Sequence, residues 1–203
     1  MKKLTFLPNF LLLSSFFITA SIVAQPTVNN NETKKTETPA VVDSKKETFM
    51  DRYYDIRDTY PSMSELYGSY ASSTNTKEKF MERYNAIKAS YPKLKDAYSA
   101  YAGCEHSMDK FTKRYFEIRD TYPKMDKYFS HFAASDNSLS EFIKRFNEIK
   151  DSAPDLSDYF GEYAASDNTL AEFSTRYYGI KASKSGSKEV YGEYAGSSKK
   201  LSK

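Results

Sequence analysis

The chain has 203 residues, and 39% of them are hydrophobic, but that fraction includes 18 Tyr and 14 Phe and no Trp. Its 30 basic and 27 acidic residues leave a formal charge of +3, and a leader carrying Lys2 and Lys3 would take that to 28 against 27. Interspersed and nearly balanced charge excludes the long-range pull that nucleic acid or an anionic membrane needs, and a single cysteine, Cys104, excludes an internal disulfide.

Residues 1–24 read as a secretory signal peptide. Lys2 and Lys3 start it, residues 10–20 form an apolar centre, and Ala24 before Gln25 and Pro26 marks a cleavage point, with a cut nearer Ser21 as the alternative. The apolar run carries Ser14, Ser15 and Thr19 and falls short of the ~20 residues a membrane span requires. The mature protein is therefore expected to be exported (secreted, periplasmic or at the cell surface) with no stable membrane span. Residues 25–45 are Asn-, Thr-, Lys- and Glu-rich and aperiodic, which predicts a disordered polar linker.

From residue 46 to 201 the chain repeats every 31 residues. Phe49, Phe80, Phe111, Phe142 and Phe173 keep that interval, and so do Ile56, Ile87, Ile118, Ile149 and Ile180. An internal repeat decides architecture before any local reading does. In the third copy Phe111, Tyr115, Ile118 and Tyr122 are spaced four, three, four, which predicts one helix face. Thr76, Ser107, Ser138 and Thr169 stand at its N-cap, and Glu141 and Glu172 should complete capping boxes in the last two copies. Pro61, Pro92, Pro123 and Pro154 end that helix and begin a second one, carried in copy three by Met125, Tyr128, Phe129, Phe132 and Ala133.

A single hairpin of this kind buries too little apolar surface to offset the entropy of ordering it, so neighbours must cover its second face. The expected fold is all-α: an α-solenoid of five helical-hairpin repeats and about ten helices. Its tyrosine-rich, thin core suits an elongated array. The fifth copy has Ser183, Lys184, Ser185, Gly186 and Ser187 where proline stood, and reads as a polar C-terminal cap. The general form resembles the tetratricopeptide class of helical-hairpin arrays in architecture alone, since that class repeats at about 34 residues with small residues inside its helices.

Two columns are candidates for function. Arg52, Arg83, Arg114, Arg145 and Arg176 lie about 60° to one side of the apolar stripe. There a guanidinium can stack on tyrosine and bridge a carboxylate of the next hairpin, and the alternative is a cation ladder for an acidic ligand. Tyr54, Asn85, Phe116, Asn147 and Tyr178 alternate aromatic and amide, well away from the stripe, and form the candidate ligand-binding face. The competing reading packs those rings between hairpins.

Enzyme signals are weak. His106 aligns with Asn75, Asn137 and Asn168, and His131 with Ser69, Ala100 and Glu162; the columns are not equivalent, and His106, next to Glu105, reads as a loop residue. Cys104 aligns with Ser73, Ser135, Ser166 and Ser197 as one small helix-end residue among others. No metal-ligand spacing, phosphate loop or catalytic triad order is present, and no cofactor is expected. The composite expectation is an exported, non-enzymatic binding module presenting an extended face to a protein or glycan. The second expectation is a self-associating structural or adhesive protein of a surface or matrix.

Overall fold

The computed structural model describes residues 47–202; the signal peptide and linker expected over 1–45 lie outside them. The described residues are all-helical, with ten α-helices and no strand. Each copy contributes a long helix and a short one. The long helices are α1 (Phe49–Thr59), α3 (Lys77–Ser90), α5 (Met108–Thr121), α7 (Leu139–Ser152) and α9 (Leu170–Ser183). The short ones are α2 (Tyr67–Ser72), α4 (Tyr98–Gly103), α6 (Phe129–Ala134), α8 (Phe160–Ala165) and α10 (Tyr191–Gly196), each entered through a 3-10 turn.

The corners follow from the proline column. Tyr60, Tyr91, Tyr122 and Ala153, the residues before each proline, leave helical geometry at φ between −143° and −130° with ψ near 63° to 66°. Each still donates its N–H to the isoleucine carbonyl four residues back. In the fifth copy, which lacks the proline, Lys184 (φ 52°) and Gly186 (φ 69°) make the corner through left-handed backbone. Thr76, Ser107, Ser138 and Thr169 cap their helices as the sequence predicts. The full capping box closes at Thr169 with Glu172, and also at Thr48 with Asp51. At Ser138 only the forward half forms, and Glu141 lies 3.6 Å from Lys144 Nζ instead.

The phenylalanine and isoleucine columns are fully buried. Tyr122 departs from the expected stripe and is 37% exposed, because the helix has already ended there. Within each copy the long helix packs on its short partner, and each short helix packs on the next, α2 on α4, α4 on α6, α6 on α8 and α8 on α10.

The series does not stop at α10. That helix packs on α2, so the five copies close into a ring with the short helices inside. The open, elongated stack expected from the sequence, with the fifth copy as a free polar end, is not what forms. Each junction turns the chain by the same increment, and five increments complete the circle. The junctions are alike in detail: an aromatic ring of one short helix meets the phenylalanine of the next long helix edge-on. Tyr70–Phe80, Tyr101–Phe111, Phe132–Phe142 and Tyr163–Phe173 have centroids 5.2–5.4 Å apart, and the closing pair Tyr194–Phe49 lies at 5.3 Å.

Closure also repairs a defect. α1 has 11 residues where the other long helices have 14. The C-terminal tail supplies the missing turn: Phe49 N–H donates to the Lys200 carbonyl (2.9 Å) and Met50 N–H to the Leu201 carbonyl (3.1 Å). Phe80, Phe111, Phe142 and Phe173 make the equivalent bond within their own helices to Thr76, Ser107, Ser138 and Thr169.

Candidate functional site

The arginine column holds each hairpin together from inside. Arg114 donates from Nε and Nη2 to the Phe132 carbonyl (3.3 and 2.9 Å), from Nη2 to Ser135 Oγ (3.3 Å) and to the Asn137 carbonyl (2.6 Å). Arg52, Arg83, Arg145 and Arg176 repeat the pattern on Tyr70 and Asn75, Tyr101 and His106, Tyr163 and Asn168, and Tyr194 and Lys199. Each guanidinium lies 4.0–4.3 Å from the centroid of the aromatic ring whose carbonyl it binds. A cation at the C-terminal end of a short helix meets orphan carbonyls and the negative end of the dipole together. The expected carboxylate of the next hairpin is therefore not the partner. Among the described residues only Arg52 of this column pairs with a carboxylate, Glu47 at 3.0 Å, and that residue precedes it.

Bridging between copies falls to a column read from the sequence as loop. Asn75 Nδ2 donates to the Ala102 carbonyl (2.9 Å), Asn137 Nδ2 to Ala164 (2.9 Å) and Asn168 Nδ2 to Ala195 (2.7 Å). His106 stands in the same column, with Nδ1 2.9 Å from the Ala133 carbonyl and Nε2 2.9 Å from Asp136 Oδ1. Both partners are acceptors, so only a ring carrying both protons donates to each. Hydrogen bonds from His106 and Lys110 hold the Asp136 carboxyl below its ordinary range. The alignment of His106 with three asparagines was the available signal: one donor at one place serving one carbonyl.

The aromatic and amide column lies on the long helices, away from the inner ring. Tyr54 is 41% and Tyr178 48% exposed, Asn85 and Asn147 are exposed, and Phe116 is half-buried against the core. Tyr54 carries the Arg57 guanidinium 4.6 Å from its ring centroid. Tyr178 donates its hydroxyl to Asp155 Oδ2 of the preceding copy (3.0 Å), with Lys181 Nζ 5.9 Å from its ring centroid. Because copy five adjoins copy one, the two exposed tyrosines sit on neighbouring copies. The strict alternation seen along the chain is broken at that place.

Inside the ring the short helices, with the 3-10 turns of the first two copies, line an open cavity of about 490 Å³. Serines from every copy line it together with Glu65, Asp96, Cys104, His131, Glu162 and Glu193, and no Lys or Arg does. His131, Glu162 and Glu193 share one column with Ser69 and Ala100. His131 Nε2 lies 3.6 Å from Glu162 Oε1, and these side chains keep 31% and 16% of their surface accessible. Burial pulls the His131 pKa down, but the carboxylates of Glu162 and Glu193 outweigh it and raise the value above the ordinary one. Burial, and then the Glu162 charge, push the Glu193 carboxyl up to about 8. Burial and the neighbouring charge thus favour the protonated form of the Glu193 carboxyl, while the carboxylates beside His131 favour its charged form. Burial raises the thiol pKa of Cys104, which caps its helix like the serines aligned with it.

Comparison with known protein families, curated proteins and solved structures finds no match. Among the described residues no group of three or more His, Cys, Asp or Glu side chains is placed to hold a metal ion, and no helix is long and apolar enough to cross a membrane.

Proposed function

We propose that the chain is an exported binding module, five helical hairpins of tetratricopeptide-like form closed on themselves, that recognises a protein partner through its outer wall where copies five and one meet. The exposure of Tyr54 and Tyr178 carries this reading. Among the described residues only these two and Tyr122 are large hydrophobic side chains in the open. Rigid, amphipathic rings flanked by cations such as Arg57 and Lys181 suit a recognition hot spot. A glycan that stacks on the same rings is the alternative ligand. The face is the convex outside of a ring, so the extended groove of an open array has no counterpart here.

The test is capture of surface and envelope proteins, and of immobilised glycans, by the mature chain and by Tyr54→Ala/Tyr178→Ala. Phe116 is left intact because it packs on the core. The double variant should keep its helical circular dichroism and lose capture by at least tenfold, in line with about 2 kcal/mol for a hot-spot side chain. Undiminished capture by the folded variant removes this face from consideration.

A further inference from the structure

We infer that the ring opens at the contact between copies five and one, and that two chains exchange their fifth copies there, so that this junction is an interaction surface for a second copy of the same chain. Four junctions lie along continuous polypeptide. The fifth joins the two ends of the repeat region, and nothing covalent holds it shut.

Among the described residues it also lacks the side-chain tie that the other four share. The column that supplies Asn75, His106, Asn137 and Asn168 to the other four ends in Lys199, and among the described residues no side-chain bridge of that kind reaches the Ala71 carbonyl. Burial, and then the charge of Arg52, lower the Lys199 pKa, while the Glu47 carboxylate that pairs with Arg52 at 3.0 Å acts the other way. On the inner ring Glu193 lies against Gly68, and its Oε2 is buried without a hydrogen-bond partner.

What fastens the junction travels with copy five. Arg176 Nη2 binds the Lys199 carbonyl (2.7 Å), and the next two carbonyls, of Lys200 and Leu201, accept from Phe49 and Met50 of copy one. The two faces are different and complementary: Tyr194 and Glu193 on one side, Phe49 and Gly68 on the other. Such a contact forms equally well with the matching face of another chain. For copy five to fill the vacant place in a neighbour's ring, its contacts with copy four, Tyr163 on Phe173 and Asn168 to the Ala195 carbonyl, must part as well, and the short link at Ser166, Asp167 and Asn168 must change course. The contacts of copy five with copies four and one, apart from those of the link itself, are then rebuilt between chains, and the inference is independent of the outer-wall reading.

Two forms of the full mature chain test it, the native chain and a head-to-tail cyclised one whose tail is linked to its start through a short flexible linker. Both are held at high protein concentration and sized by light scattering and native mass spectrometry. The native chain should yield a dimer whose fraction grows with concentration, and the cyclised chain should stay monomeric, because a closed loop cannot hand over its fifth copy. A native chain that is monomeric throughout, or a cyclised chain that dimerises equally, overturns the inference. A second readout uses the native chain alone. An exchanged dimer must reopen both rings to separate, so it should survive dilution for hours, and separation within roughly seconds, as for a weak surface contact, also overturns the inference.

Discussion

Two junctions of the ring are built from the same parts and held by different means. Between copies two and three, Tyr101 meets Phe111 edge-on, Arg83 ties the end of α4 to the incoming loop, His106 reaches on to the Ala133 carbonyl, and the backbone runs through. Between copies five and one, Tyr194 meets Phe49 in the same way and Arg176 plays the part of Arg83, but Lys199 replaces the bridging donor and the tail is hydrogen-bonded, rather than spliced, to the helix it completes. Packing alone therefore suffices to set the geometry of a junction. Polar bridges and chain continuity decide how firmly it stays shut.

The largest effect that bears on this comparison is loss of a junction phenylalanine. Phe111→Ala should cost about 3–5 kcal/mol, since the ring is fully buried and packs on both sides of a junction. Phe49→Ala should cost the same if the fifth junction is shut in solution. Urea denaturation of both variants decides the matter: a Phe49→Ala penalty below about 1 kcal/mol, within the range of ordinary surface changes, would mean that the ring stands open.

Next comes the fit between Glu193 and Gly68. A Cβ at position 68 would stand 2.5 Å from the Glu193 carboxyl group, at the end of a flexible side chain that must shift. Gly68→Ala should cost about 1–3 kcal/mol, as overpacking does. Glu193→Ser should relieve it, giving a coupling in the double-mutant cycle that independent sites lack. Gly179→Ala, with nothing within 4 Å of the added carbon, is the control and should be neutral or slightly stabilising in its helix. An additive Gly68/Glu193 pair would separate copy five from copy one.

That pairing shows how much of the fold was legible and where legibility ended. The 31-residue period, the phenylalanine and isoleucine stripe, the caps at Thr76, Ser107, Ser138 and Thr169 and the proline corners are local or strictly periodic, and they translate directly into the hairpin. Closure is not local. Its trace is a match of sizes one copy apart: His131 and Glu162 lie against Gly161 and Gly192, whereas the smaller Ser69 and Ala100 precede copies with Ser99 and Ser130 at that place. Gly68 opens the first copy with no preceding copy to explain it, and Glu193 ends the series with no following glycine. Only a circle accounts for both. The arginine partners were misread because a wheel angle locates a side chain on its own helix and says nothing about which helix end it meets. The axial cluster escaped because His131, Glu162 and Glu193 are 31 residues apart and converge only when the short helices form the inner wall.

A smaller effect separates the two kinds of junction directly. Asn137→Ala removes the donor to the Ala164 carbonyl and should cost about 1 kcal/mol, the usual net value of such a bond. Lys199 occupies the same column at the closing junction, donates no corresponding bond among the described residues, and feels the opposed charges of Arg52 and Glu47, so Lys199→Ala removes no bridge. Its urea midpoint should equal or exceed that of the parent chain. A Lys199→Ala variant as damaged as Asn137→Ala would show that the fifth junction is bridged like the others.

The pH dependence tests the inner ring. Glu193 has its pKa raised in the folded chain from 4.5 to about 8, so between those values the folded state binds a proton that the unfolded state has released. Stability from this group is complete below about pH 4.5 and is lost as pH rises through about 8. His131, raised above 6.5, adds to the fall in the same direction as it sheds its proton. The carboxyl of Asp136, depressed below 3.8, acts oppositely but only under acid conditions outside this window. Urea midpoints should therefore decline from pH 5 to pH 9, and Glu193→Gln should flatten the decline because its amide stays neutral throughout. The comparison sharpens further if the dimer fraction rises over the same interval, since ionising Glu193 sets its charge against Glu162 across the contact of copies four and five, which exchange must also open. A midpoint that climbs toward alkaline pH would contradict the placement of Glu193 against Gly68, and with it the closed inner wall.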